Sequence, residues 1–168
     1  MQISMYETLV PSMNRMLGNL AKILDKAAAF AEARKVDPAV LLNSRLAPDM
    51  FSLTRQVQIA CDMAKGAAGR LGGGEIPKFE DDETSIAELK ARIAKTLAYI
   101  NGVGAAGYEG AEDRDIVLQL RSGELRFKGL SYLRDFVLPN VYFHITAAYL
   151  ILRHNGVELG KTDFIGAQ

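Results

Sequence analysis

The chain has 168 residues, of which 49% are hydrophobic and 24% charged. That length and balance suit one globular domain spanning residues 1–168 and exclude wholesale disorder. Twenty basic residues offset twenty acidic ones, so no net charge draws the chain toward nucleic acid or an anionic membrane, and neither is expected as a partner. A single cysteine and two histidines exclude an internal disulfide, a cysteine-rich zinc site and a three-histidine metal centre.

The N-terminus, MQISMYETLV, lacks the basic start and apolar run of a signal peptide. No stretch of the sequence approaches the 18 or so uninterrupted apolar residues of a spanning helix; the longest apolar run is Ile145 to Leu152. The chain therefore reads as cytoplasmic.

Tyr6, Leu9, Met13, Met16, Leu20, Ile23, Ala27 and Phe30 recur at alternating spacings of three and four. This predicts one apolar stripe on a helix from Ser4 to about Arg34, ~45 Å long, with Ser4 and Glu7 as a capping box. Pro11 should kink that helix or delay its start. A loop with Asp37-Pro38 and Ala47-Pro48 follows, with a short helical turn in VLLNSRLA.

The second long helix carries Met50, Leu53, Val57, Ala60, Ala64, Ala67 and Leu71, and its opposite face, Arg55, Gln58, Asp62 and Lys65, reads as solvated. Cys61 reads as a small buried hydrophobe within this helix. Gly72-Gly73-Gly74 ends it, and the acidic run at 80–83 suits the positive end of the next helix dipole.

The third helix begins near Ser85, with Glu88 completing a capping box, and its stripe is Ile86, Leu89, Ile93, Leu97 and Ile100. Glycines 102, 104 and 107 stop it. They spell GxGxxG, but that fingerprint binds a dinucleotide only after a strand and before a helix. The period then changes. Ile116, Leu118 and Leu120 alternate with Val117, Gln119 and Arg121; after Ser122-Gly123, Leu125 and Phe127 alternate with polar residues. This predicts a hairpin with one apolar face packed on the helices.

The last long helix runs from about Ser131 to His154, with Leu133, Val137, Val141, His144, Ala148 and Leu152 on its inner stripe and a kink expected at Pro139. Gly160-Lys161-Thr162 has one residue too few before it for a phosphate-binding loop. Lys161 and Asp163 read as tethers for the tail, with Phe164 and Ile165 covering one end of the bundle. His144 is the ionisable side chain placed on an apolar stripe, and so the candidate centre of a ligand site. Gln56, Tyr149 and Arg153 are the polar side chains expected to join it.

Residues 143–166, FHITAAYLILRHNGVELGKTDFIG, resemble the closing signature of an uncharacterised bacterial family of the DinB/YfiT-like superfamily. SLTRQVQIACDMAKGAAGRLGG, from Ser52, resembles that family's second helix. The resemblance implies an all-α, DinB-like four-helix bundle with a small β-hairpin inserted before the last long helix, and association into a homodimer. Metal-binding members of the superfamily use one histidine of the second helix and two spaced HxxxH on a later one; several are thiol-dependent transferases or hydrolases. Here His144 stands at the first position of HxxxH and Ala148 at the second, while the second helix offers Gln56 and Asp62. No metal and no cofactor is therefore expected. The leading reading is a bundle that binds a small-molecule ligand in a cavity near His144. The alternatives are a metal-dependent enzyme with a reduced ligand set and a structural oligomerisation module.

Overall fold

The computed structural model describes residues 4–120 and 123–166, which form six helices and a two-stranded hairpin. Helix α1 spans Met5–Arg34, α2 Pro38–Asn43, α3 Leu53–Gly72 and α4 Ile86–Gly102. Two 3₁₀ turns, Ala105–Tyr108 and Ala111–Asp113, lead into β1, Asp115–Leu120, which pairs antiparallel with β2, Gly123–Lys128. A continuous helical run, α5, covers Gly129–His154, and α6 covers Lys161–Ile165. The long helices α1, α3, α4 and α5 form the four-helix bundle of an all-α fold.

The apolar stripes become the core because burying them is the main favourable contribution to folding. Leu9, Met13, Leu20, Ile23 and Ala27 of α1 meet Leu53, Val57, Ala60, Ala64 and Leu71 of α3, Leu89, Ile93 and Ile100 of α4, and Val137, Val141, Ala148 and Leu152 of α5; all are at most 1% exposed. Cys61 is fully buried among them, and burial pushes its thiol up to about 12, which makes it inert as a nucleophile.

Neither proline ends its helix. Helix α1 starts at Met5 and runs uninterrupted through Pro11. Pro11 and Glu7 are both exposed, so the carbonyl that loses its partner faces solvent. Ahead of Pro139 the chain widens into a π-helical stretch, Tyr132–Val137, before resuming as an α-helix at Leu138. A wide turn makes room for a ring that would otherwise press on the carbonyl four residues earlier.

Helix α5 is long and apolar enough to cross a membrane by length and composition, although polar residues interrupt it; 44% of its most apolar window is buried inside the fold. Its inner face forms core, while Tyr142, Phe143 and Leu150 remain exposed on the outside.

The hairpin pairs Ile116 with Phe127 and Leu118 with Leu125. Ile116 and Leu118 are buried against the helices, and Phe127 packs with Tyr132 and Phe136. Leu120 and Leu125, nearer the tip, are exposed. The expected turn at Ser122 and the alternation through Arg121 lie outside the described residues.

The face of α3 expected to be solvated is not. Gln58 and Lys65 are buried, and Arg55 and Asp62 are half-buried. The segment between α3 and α4 folds back over them, and its acidic run does not simply sit at a helix dipole. Arg92 of α4, with a fully buried side chain, bonds Asp62 at 2.9 Å, Asp81 at 2.9 Å and Glu83 at 3.0 Å. It also donates to the Glu80 carbonyl at 2.9 Å. Lys65 and Lys95 lie 4.0 and 4.3 Å from the centre of the Phe79 ring. Three carboxylates from two separate segments thus converge on one arginine. Glu88 keeps its expected role, accepting from the Ser85 N–H at 2.9 Å while Ser85 Oγ accepts from the Glu88 N–H at 3.2 Å.

Candidate functional site

His144 reaches the inner side of α5 because Val141 and Ala148, one turn to either side, belong to the core stripe. Gln56 reaches the same place from the first turns of α3, beside Leu53 and Val57. The two side chains meet: His144 Nδ1 and Gln56 Oε1 are 2.7 Å apart. Gln56 is 1% exposed and His144 8%.

The orientation of this pair follows from its outer bond. Gln56 Nε2 donates to the Phe51 carbonyl at 3.2 Å, since only the amide nitrogen can donate to a carbonyl. That turns Gln56 Oε1 toward the imidazole, and an amide oxygen only accepts. Nδ1 of His144 therefore carries the proton, and Nε2 carries the free lone pair. Nε2 has no protein partner among the described residues. Burial pushes the His144 pKa below its ordinary value, and the nearby Arg55 charge lowers it further. At neutral pH the ring is neutral and Nε2 is a hydrogen-bond acceptor. The unfolded state takes up a proton first on acidification. This residue's contribution to stability therefore falls as pH drops from the ordinary histidine value toward the depressed folded one.

Two aromatic residues adjoin the pair, one through its ring and one through its backbone. The Phe143 ring meets the imidazole edge-on at 5.3 Å, and Phe51 holds Gln56 through its carbonyl; these side chains are 57% and 56% exposed. Five clefts of 190 to 440 Å³ elsewhere on the molecule are lined by other residues.

The other two candidate residues are not brought to this pair. Tyr149 donates to the Leu159 carbonyl at 3.4 Å and packs edge-on against Phe164, securing the C-terminal segment. Arg153 is exposed near the end of α5, ~13 Å along the axis from His144. The tail tether is Asp163, which pairs with Lys26 at 2.7 Å and caps α6 by accepting from the Gly160 N–H at 2.8 Å. Phe51 and Phe143 were invisible as site residues in the sequence, because a loop aromatic and an off-stripe aromatic carry no periodic signal.

The three-histidine metal site of the superfamily does not fit these residues. Gln56 Oε1 is engaged by His144 Nδ1, and Ala148 presents only a methyl group, fully buried. Among the described residues no three His, Cys, Asp or Glu side chains gather to hold a metal ion.

The comparisons with known proteins agree with this architecture. A crystal structure of a DinB family member protein from Shewanella denitrificans shares 50% sequence identity and a TM-score of 0.91, over 97% of this chain and 92% of that one. No curated protein matches the chain. The family model described as Domain of unknown function (DUF1993) matches residues 5–165, nearly the whole bundle and its tail, and the chain belongs to that family.

Proposed function

We propose that the protein binds a small molecule carrying a hydrogen-bond donor and an apolar body, with His144 Nε2 as the acceptor. The carrying observation is the chain of bonds from the Phe51 carbonyl through Gln56 to His144 Nδ1, which fixes the tautomer and leaves Nε2 free. A buried imidazole so oriented is poised for a ligand at little further cost in ordering. Phe51 and Phe143 supply apolar surface for the rest of the molecule. The reading calls for ligand binding, not for metal chemistry.

Phenol is a suitable probe, having one donor and one ring. Titrated into the full-length protein and followed by the imidazole resonances, it is expected to bind saturably above the His144 pKa. Below it the affinity should fall about tenfold per pH unit, because the protonated Nε2 has no lone pair. The variant His144→Leu should lose the binding. Equal phenol affinity in that variant, or affinity independent of pH across the His144 titration, would defeat the proposal.

A second reading rests on the outer face of α5, where Tyr142, Phe143 and Leu150 are exposed. Exposed apolar groups on one helix suit an interface between two copies. Light scattering at about 10 μM should then give the mass of a homodimer, and Phe143→Glu should return it to a monomer. A monomer in the unaltered protein removes this reading.

A further inference from the structure

A separate cleft lies at the other end of α3. Arg70 is fourteen positions beyond Gln56, or ~21 Å along the helix. The cleft has a volume of 190 Å³, is open to solvent on one side, and is lined by Arg70, Tyr132, Phe136, Leu118, Leu120 and Asp62, among others. Its walls come from α3, the hairpin and the π-helical stretch of α5. This gives the irregular turn ahead of Pro139 a second consequence, since it helps place Tyr132 and Phe136 against the hairpin.

Arg70 is half-buried and has no acidic partner within ion-pair distance among the described residues. Its place in the last turn of α3, where the helix dipole favours a cation, makes the unpaired charge tolerable. That placement consumes none of its donors. The guanidinium folds back along α3 over Gly66, where a Cβ would collide with Nη1. Nη1 donates to the Tyr132 hydroxyl at 3.3 Å. The phenol oxygen is thus an acceptor toward Arg70, and its own proton is left to donate elsewhere. Burial raises the Tyr132 pKa, so that proton is retained.

The cleft therefore offers a planar cationic fork and an adjacent O–H against apolar walls. Asp62 adds a negative charge to the lining, but Arg92 and Lys65 both lie on its Oδ1, at 2.9 and 3.1 Å. We propose that this cleft binds a small monocarboxylate, its carboxylate held by Arg70 and the Tyr132 hydroxyl and its short apolar tail against Leu118, Leu120 and Phe136. One arginine suits a single negative charge, and the volume admits only a small molecule. Guanidinium and carboxylate are geometrically matched, and their charge-assisted bonds are strong where water is partly excluded.

The test is a titration of the full-length ¹⁵N-labelled protein with sodium propionate at neutral pH and constant ionic strength. Saturable shifts should appear at the amides of Leu118, Leu120 and Phe136, with a Kd on the order of 10 mM, as befits so small a ligand. Propionamide and inorganic phosphate should bind at least about tenfold more weakly. Arg70→Gln should weaken propionate about tenfold or more, and Tyr132→Phe, which keeps the ring, severalfold. Gly66→Ala should weaken it by displacing the guanidinium while leaving the charge in place. Absence of saturable shifts in the unaltered protein overturns the proposal. So does propionamide or phosphate binding as tightly as propionate, or unchanged affinity in either Arg70→Gln or Tyr132→Phe. The phenol titration at His144 is independent of every one of these outcomes.

Discussion

Replacing Arg92 with Met is expected to destabilise the protein by about 3–5 kcal/mol at neutral pH, the usual cost of removing one partner from a buried ionic cluster. The arginine side chain is fully buried and Glu83 is 5% exposed. Without the guanidinium, Glu83 is left in a poorly solvated place with Asp62 and Asp81 nearby, and Gln58, donating to it at 2.9 Å, is the neutral donor that remains. Methionine restores most of the lost volume, so the deficit reports the charges more than a cavity.

The pH dependence distinguishes this cause from simple packing. In the unaltered protein, burial alone would raise the Glu83 pKa, but hydrogen bonds from Gln58 and Arg92 outweigh it and hold the carboxyl below its ordinary value. That contribution is complete above the unfolded carboxylate pKa and is lost as pH falls through the lower folded one. In Arg92→Met the opposing bonds from arginine are gone, and the Glu83 pKa should rise. Urea denaturation at pH 7 and at about pH 4 should therefore show a deficit that shrinks on acidification, as the carboxyls protonate and no longer need a cation. A deficit of the same size at both pH values would assign the loss to packing instead.

Gly129→Ala is expected to cost at least about 3 kcal/mol, at the upper end of overpacking effects. Gly129 joins β2 to α5, and its N–H donates to the Arg114 carbonyl at 2.9 Å. A Cβ at this position would overlap the Ala111 carbonyl oxygen. Backbone lies on both sides of that collision, so no side-chain rotation relieves it. To accommodate the methyl, the second 3₁₀ turn and the hairpin must move off the end of α3. The variant should keep its helical circular dichroism and lose amide protection between residues 115 and 128, where the hairpin depends on docking.

Gly104→Ala is the matched control. Nothing lies within 4 Å of a Cβ at Gly104, and its φ of −66° suits any residue. That substitution should be neutral or stabilise slightly, by restricting the unfolded chain. The pair of results separates a glycine required by close approach from one that merely marks a loop. The GxGxxG spelling does not separate them: Gly107, in the same motif, is pressed against the Gly72 carbonyl.

The bundle was legible in the sequence because spacings of three and four are a local property of an α-helix. Leu9, Met13, Leu20 and Ile23, or Ile86, Leu89 and Ile93, declare a buried face without knowledge of what covers it. The alternation around Ile116 and Leu118 announced the hairpin for the same reason, and Ser85 with Glu88 announced a helix start. His144 was legible too, as a polar residue at a position whose period demanded burial.

Periodicity identifies a face but not its neighbour. Arg55, Gln58, Asp62 and Lys65 form a polar stripe that reads as solvent-facing, yet the loop carrying Phe79, Asp81 and Glu83 covers it. Nothing local records where a loop twenty residues away will lie. Gln56 was expected beside His144 and is there, 88 positions away in sequence; Tyr149 and Arg153, on the same helix as His144, are not. Position on one helix sets the direction of a side chain, whereas what it meets depends on how separate helices pack. The amino-acid sequence alone thus determined which surfaces of this protein must be buried, since that follows from residue type and local repeat. Which charges share an interior, which nitrogen of His144 is free and which cleft Arg70 faces were decided only when distant segments came together in three dimensions.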